Sequence, residues 1–95
     1  MIRFEWDSEK ERINRAKHGV SFREARSVFF DEQALQFLDD HHLELEERFI
    51  MLGLSGKLRI LVVIHCERQN GEVIRIISAR KATSKELGIY LSKIR

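Results

Sequence analysis

The sequence predicts an α+β domain with two N-terminal helices, a three- to four-stranded antiparallel sheet and a C-terminal helix. Three observations carry that reading. Ser8 to Glu11 and Ser21 to Glu24 each have the capping-box form, a serine followed by a glutamate three residues on, and Gly19 lies between them. From Glu47 to Ala79 the apolar residues follow the period of strands. Asn70-Gly71, between two such runs, is a strong hairpin signal, because both residues tolerate φ > 0.

Each element follows in order. Residues 2–6 read as a short strand or an ordered arm. The first helix should open at Ser8 and run to Lys17 or His18, with Ile13, Ala16 and Val20 marking its inner side and Gly19 stopping it. The second should bury Phe22, Ala25, Val28 and Phe29. Asp31-Glu32 breaks that pattern, residues 33–38 alternate weakly as a strand, and Asp39-Asp40-His41-His42 reads as a loop. Residues 48–54, 58–67 and 72–79 are then three strands, the middle one nearly all apolar and so central. Thr83 or Ser84 can cap a last helix through Tyr90 and Leu91. No repeat, low-complexity segment or linker interrupts the chain, so a single domain over residues 1–95 is expected.

Composition narrows the function classes. At 43% hydrophobic and 34% charged residues the chain is globular rather than disordered. No apolar run approaches membrane-spanning length, and the charged N-terminus has no signal-peptide form. The single cysteine, Cys66, excludes a disulfide framework, reads as core and fits a reducing cytoplasm, which is the expected location. The net charge of +2 is uneven. Residues 31–47 hold seven acids and no lysine or arginine, whereas residues 49–95 hold nine lysines and arginines against three acids. A basic working surface and a separate acidic one would give this asymmetry, as would two ordinary solvated faces.

The residues with chemical potential are mostly basic. Arg75 stands inside an apolar strand, where a guanidinium needs a partner or a ligand. Strict alternation puts Val73, Arg75, Ile77 and Ala79 on one side and Ile74, Ile76, Ser78 and Arg80 on the other, with the Ile74/Ile76 side packed on helices. Arg59 and His65 share a side of the preceding strand, and Glu47-Arg48 open the one before it. An open sheet face of this kind suits a phosphodiester, or holds only an Arg75–Glu cross-strand pair. Lys17-His18 either complement the negative end of the first helix or present a cation and an imidazole to a substrate. His41-His42 have no third ligand at metal spacing, so neither metal nor cofactor is expected, and no Walker or dinucleotide pattern is present.

Several blocks coincide in order and spacing. Phe4-Glu5-Trp6-Asp7, Lys10, Asn14, Lys17-His18-Gly19-Val20-Ser21-Phe22 and Glu24-Ala25 form the first. Glu47-Arg48 and Gly53 form the second, and Leu61-Val62-Val63 with Arg75 through Thr83, then Glu86 and Tyr90, form the third. Over essentially its whole length the chain resembles the BrnT family of bacterial type II toxins. The resemblance implies a RelE-like fold, ribonuclease activity on messenger RNA that slows translation, and neutralisation by a ribbon-helix-helix antitoxin through which alone DNA is contacted. For metal-free cleavage it points to Arg75 or Arg80 as charge stabiliser and to Glu47, beside Arg48, as base. It points to Lys17 or His18 as stabiliser or acid and to Tyr90 as an orienting or stacking group. Lys57, Arg59, Lys81 and Lys85 would contact the RNA backbone. Residues 84–90 lack the run of arginines the family often carries there, and a Leu87/Leu91 stripe is then available for the partner. A non-catalytic toxin homologue acting as antitoxin-binding co-repressor is the other reading.

Overall fold

The structure, a computed structural model, describes residues 1–39 and 47–93. Its elements are β1 (Arg3–Glu5), α1 (Ser8–His18), α2 (Phe22–Ser27), a 3₁₀ turn (Val28–Phe30), β2 (Leu35–Leu38), β3 (Arg48–Leu54), β4 (Ile60–Arg68), β5 (Val73–Lys81) and α3 (Ser84–Lys93). One five-stranded sheet has the order β1-β5-β4-β3-β2. Strands β2 to β5 form the antiparallel meander read from the sequence, but β1 joins β5 in parallel. The expected three- to four-stranded antiparallel sheet behind two helices is thus corrected. The sheet is mixed, five-stranded, and its first strand precedes both helices, so the RelE-like order implied by the resemblance does not hold in that form. The expected loop at Asp40, His41 and His42 lies outside the described residues.

The apolar residues sort to two sides of the sheet. Val20, Phe22, Ala25 and Val28 pack with Leu61, Val63, Ile76 and Ala79 under α2 and the 3₁₀ turn, and Phe4, Trp6, Phe29 and Met51 close the rim. Burying Phe22 alone is worth about 1.5–3 kcal/mol. On the opposite side Leu52, Val62 and Tyr90 form a second cluster beneath α3. Gly53 permits the close layer contact, since a Cβ there would meet Ala34 Cβ and Val28 Cγ1 at 2.9 Å.

Helix α1 departs from its sequence reading in a way that matters. Its cap is Asp7, whose Oδ1 accepts from the backbone N–H of Glu9 at 2.8 Å and Lys10 at 3.0 Å; Ser8 is already helical. Gly19 does end the helix, at φ 69°. Ile13 and Ala16, expected inside, are exposed, and the buried residue is Asn14. Its carboxamide donates to Ala79 O at 2.8 Å and Val20 O at 3.1 Å and accepts from Ala79 N at 3.1 Å. One amide thus pairs with β5 as a neighbouring strand would, and ties α1 and the Gly19-Val20 corner to the sheet. Ser21 caps α2 as read, accepting from Glu24 N at 3.0 Å.

Two local irregularities correct the strand reading. The hairpin between β4 and β5 spans residues 69–72, with Gln69, Asn70 and Gly71 at φ 51°, 58° and 87°, rather than a two-residue Asn-Gly turn. In β5 there is a bulge: Ile64 pairs with Ser78 and His65 with Ile76, so Ile77 is passed over. Ile76 and Ala79 therefore reach the same core cluster, although strict alternation separates them. By the same shift Arg75 and Arg80 share the face on which α3 lies. His65 is on the other face, fully buried between Phe29 and Phe49, and burial lowers its pKa to about 4.

Helix α3 is held at its start. Thr83 Oγ1 accepts from Glu86 N at 3.2 Å, and Glu86 Oε1 accepts from Thr83 N at 2.8 Å, a reciprocal capping box. Arg80 grips the same carboxylate at 2.8 and 2.9 Å. The Arg80 hydrogen bonds, opposed by burial and aided by Thr83, pull Glu86 down to a pKa of about 2. Further along, the Tyr90 hydroxyl donates to Asp31 Oδ2 at 2.7 Å.

Two stability outcomes follow. Asn14→Ala strands the Ala79 and Val20 backbone groups and should cost about 2–4 kcal/mol in urea unfolding; a loss below about 0.5 kcal/mol contradicts the clamp. Because the folded Glu86 pKa is depressed, its contribution is complete above about pH 4.5 and is lost as pH falls toward about 2. The melting-temperature gap between wild type and Glu86→Gln should close across that window, and a constant gap is the contrary result.

Candidate functional site

The outer edge of β5 is shared by two different partners. β1 pairs along it up to Glu5 opposite Arg75, and Asn14 clamps it at Ala79. Between them the edge is left to the bulge. A cleft of about 250 Å³ opens there, lined by Lys10, Ile13, Asn14, Lys17, His18, Ile77 and Ser78. The α1 residues are spaced 10, 13, 14 and 17, one stripe of a helix, so the helix lays one basic side along the gap.

Arg75 lies two residues before Ile77 on β5, on the α3 side of the sheet. Cα partners run Glu5–Arg75–Cys66–Arg48 across four strands. Arg75 is half-buried and, among the described residues, makes no hydrogen bond or ion pair. The acid opposite it, Glu5, lies 3.6 Å from Arg68 Nη1 instead. Asp7 feels the Arg75 charge at longer range. Its carboxyl is held below the ordinary range first by the Lys10 and Glu9 N–H groups and then by the charges of Lys10 and Arg75.

The expected site residues divide. Lys17 and His18 line the cleft at the β5 edge, and Arg75 lies two residues before Ile77, a strand residue of that cleft. Arg48, with exposed Glu47 before it, stands in the same cross-strand row two strands away, about 10 Å by strand spacing. The other residues lie elsewhere. Arg80 is about 15 Å further along β5 and is committed to Glu86. Tyr90 is buried; burial and then Asp31 raise its pKa to about 12, and from that position it cannot stack on a base. Arg59 is bound through Nε and Nη2 to Glu24, a buried carboxylate that also accepts from Ser55 Oγ at 2.7 Å, and it donates to Gly19 O at 3.1 Å. Arg59 therefore joins the β3–β4 turn to the α1–α2 corner. Lys57, Lys81 and Lys85 are exposed around that far end of the sheet.

Sequence reasoning passed over Lys10, Ile13, Ile77 and Ser78 as parts of one place. The stripe through Lys10 and Lys17 was readable; the bulge that turns Ile77 toward it was not. Among the described residues no group of three His, Cys, Asp or Glu side chains is placed to hold a metal ion, and no helix is long and apolar enough to cross a membrane.

Residues 6–86 match the family model described as the ribonuclease toxin BrnT of type II toxin–antitoxin systems. The crystal structure of the Brucella abortus ribonuclease toxin BrnT is similar at a TM-score of 0.66 and 26% identity, over 88% of this chain and 100% of that one. No curated protein matches. The similar structure shares the α+β fold, and the family match spans both the α1–α2 corner and the β5 edge where the cleft lies. The chain belongs to the BrnT family of ribonuclease toxins of type II toxin–antitoxin systems.

Proposed function

We propose that the protein is a toxin that cleaves messenger RNA without a metal ion, at the sheet face and edge around Arg75, and thereby inhibits translation in the cytoplasm. The observation that carries this reading is Arg75 itself, a half-buried arginine in mid-strand whose in-register acid, Glu5, is paired with Arg68. A guanidinium kept without a carboxylate retains its fork of donors for a bidentate oxyanion such as a phosphodiester.

The chemistry asks for three things. The 2′-hydroxyl must lose its proton and attack the adjacent phosphorus. Charge then builds on the two non-bridging oxygens, and the departing 5′-oxygen must gain a proton, leaving a 2′,3′-cyclic phosphate and a 5′-hydroxyl. Arg75 is suited to the second task because its uncommitted fork of donors can take both non-bridging oxygens as charge develops on them. Glu47, approaching from the β3 side, is our choice of base, and His18, approaching from the α1 edge, our choice of acid. Lys17 adds positive charge beside the leaving group. Opposed approaches suit an in-line displacement, in which entering and leaving oxygens lie on opposite sides of phosphorus.

The expected partner is a ribbon-helix-helix antitoxin, with DNA contacted only through it. The alternative, a binding-only toxin homologue that serves as co-repressor, draws support from Arg80 and Tyr90, whose functional groups are committed to Glu86 and Asp31.

One assay separates the readings. Purified protein should cleave a defined RNA in EDTA, and Arg75→Ala should lower the rate about 10²–10³-fold at unchanged melting temperature. Arg80→Ala should lower the melting temperature more than the rate. Full activity in Arg75→Ala, or cleavage that EDTA abolishes, contradicts the assignment. Absence of any cleavage favours the co-repressor.

A further inference from the structure

The cleft at the β5 edge has an apolar floor that the chemistry above does not use. Ile13 is 53% exposed on a helix whose only buried residue is Asn14. Ile77 is the residue that the bulge takes out of the β4–β5 pairing. Both line the same cleft, and Lys10, Lys17, His18 and Ser78 surround them. An exposed isoleucine on a helix and a half-buried one at a strand bulge, lining one cleft with two lysines and a histidine, are poorly explained as core and poorly explained as an ordinary solvated face. The combination fits a nucleotide, whose base lies flat on an apolar surface while its phosphate takes lysine.

We infer that this cleft is a nucleoside-monophosphate subsite for the residue of single-stranded RNA next to the scissile linkage, with the base between Ile13 and Ile77 and its phosphate on Lys10. The inference rests on the ribonuclease reading and adds to it where the neighbouring nucleotide sits. Arg75 is two residues before Ile77 on the same strand, about 7 Å along it, roughly one nucleotide's spacing. A phosphate at Arg75 and a base at Ile77 would therefore belong to neighbouring positions of one strand. Because apolar packing is indifferent to base-edge pattern, the subsite fixes register on the strand and reads little sequence. Asn14, which lines the same cleft, spends its amide on Ala79 and Val20 and has no donor left for a base.

The test is binding of a fluorescent single-stranded oligonucleotide with 2′-deoxy sugars, which the protein cannot cleave, measured against salt. Lys10 and Ile13 are both exposed, so their variants should keep the wild-type melting temperature. Lys10→Ala should weaken binding about 3–10-fold at low salt and lower the magnitude of the log–log salt slope by about 0.7. Ile13→Ser should weaken it about 5-fold, the loss of part of one stacking contact, with the slope unchanged. Arg12→Ala, on the other side of α1 and paired with Glu9, should bind as wild type. If Arg75→Ala weakens binding while Lys10→Ala and Ile13→Ser do not, the subsite is overturned and the ribonuclease reading stands. If wild type neither binds the oligonucleotide nor cleaves the matching RNA, both fall together.

Discussion

The arrangement depends on one amide. β5 is the strand that carries Arg75, the bulge and Arg80, yet β1 pairs with only its first three residues. Beyond them the edge is completed at Ala79 by the Asn14 side chain, which presents a donor and an acceptor where a strand would present its backbone. The same amide holds Val20 O, and Val20 and Phe22 are fully buried just after it. Helix, corner and strand are thus tied together by one side chain, with Arg59 on Gly19 O as a second hold on the corner, and the gap left between β1 and Asn14 is the cleft.

The second constraint is electrostatic. Three of the strand and turn arginines are matched by acids: Arg59 by Glu24, Arg80 by Glu86 and Arg68 by Glu5. Glu24 in particular is buried, and its pairing keeps its carboxyl ionised against the cost of desolvation. Among the described residues Arg75, on the same strand as Arg80, makes no such pair. The acid in register with it is drawn to another arginine, so the guanidinium stays available on a face that α3 covers only toward the Arg80 end.

The general plan was legible because it rests on local rules. Gly19 and Ser21 stop one helix and start the next, and the apolar runs read as strands over 48–54 and 58–67 fall within two residues of β3 and β4. What was not legible came from long-range pairing. Nothing local announces that residues 3–5 run parallel to β5, that a bulge falls at Ile77, or that a polar Asn14 rather than Ile13 faces inward. The site reading was limited in the same way. Chemistry and motif single out Lys17, His18 and Arg75; the fold puts the first two in the cleft and the third two residues before it on β5. Arg59 and Tyr90 looked equally available on paper, but their partners, Glu24 and Asp31, are 35 and 59 residues away in sequence. Sequence gives a side chain's chemistry, and the fold decides whether that chemistry is already engaged.

The central claim is that Arg75 and the α1 edge beside it form the face that meets a phosphodiester. The most direct measurement is a ¹⁵N NMR titration of the protein with a short uncleavable oligonucleotide, following the Arg75 Nε–H signal and the backbone amides together. The account predicts that Arg75 Nε–H and the amides of Lys17, His18, Ile77 and Ser78 move first and saturate with one affinity, while the Arg59 Nε–H bound to Glu24 stays still. Movement confined to the Lys57–Arg59 end of the sheet, with Arg75 unaffected, would contradict it.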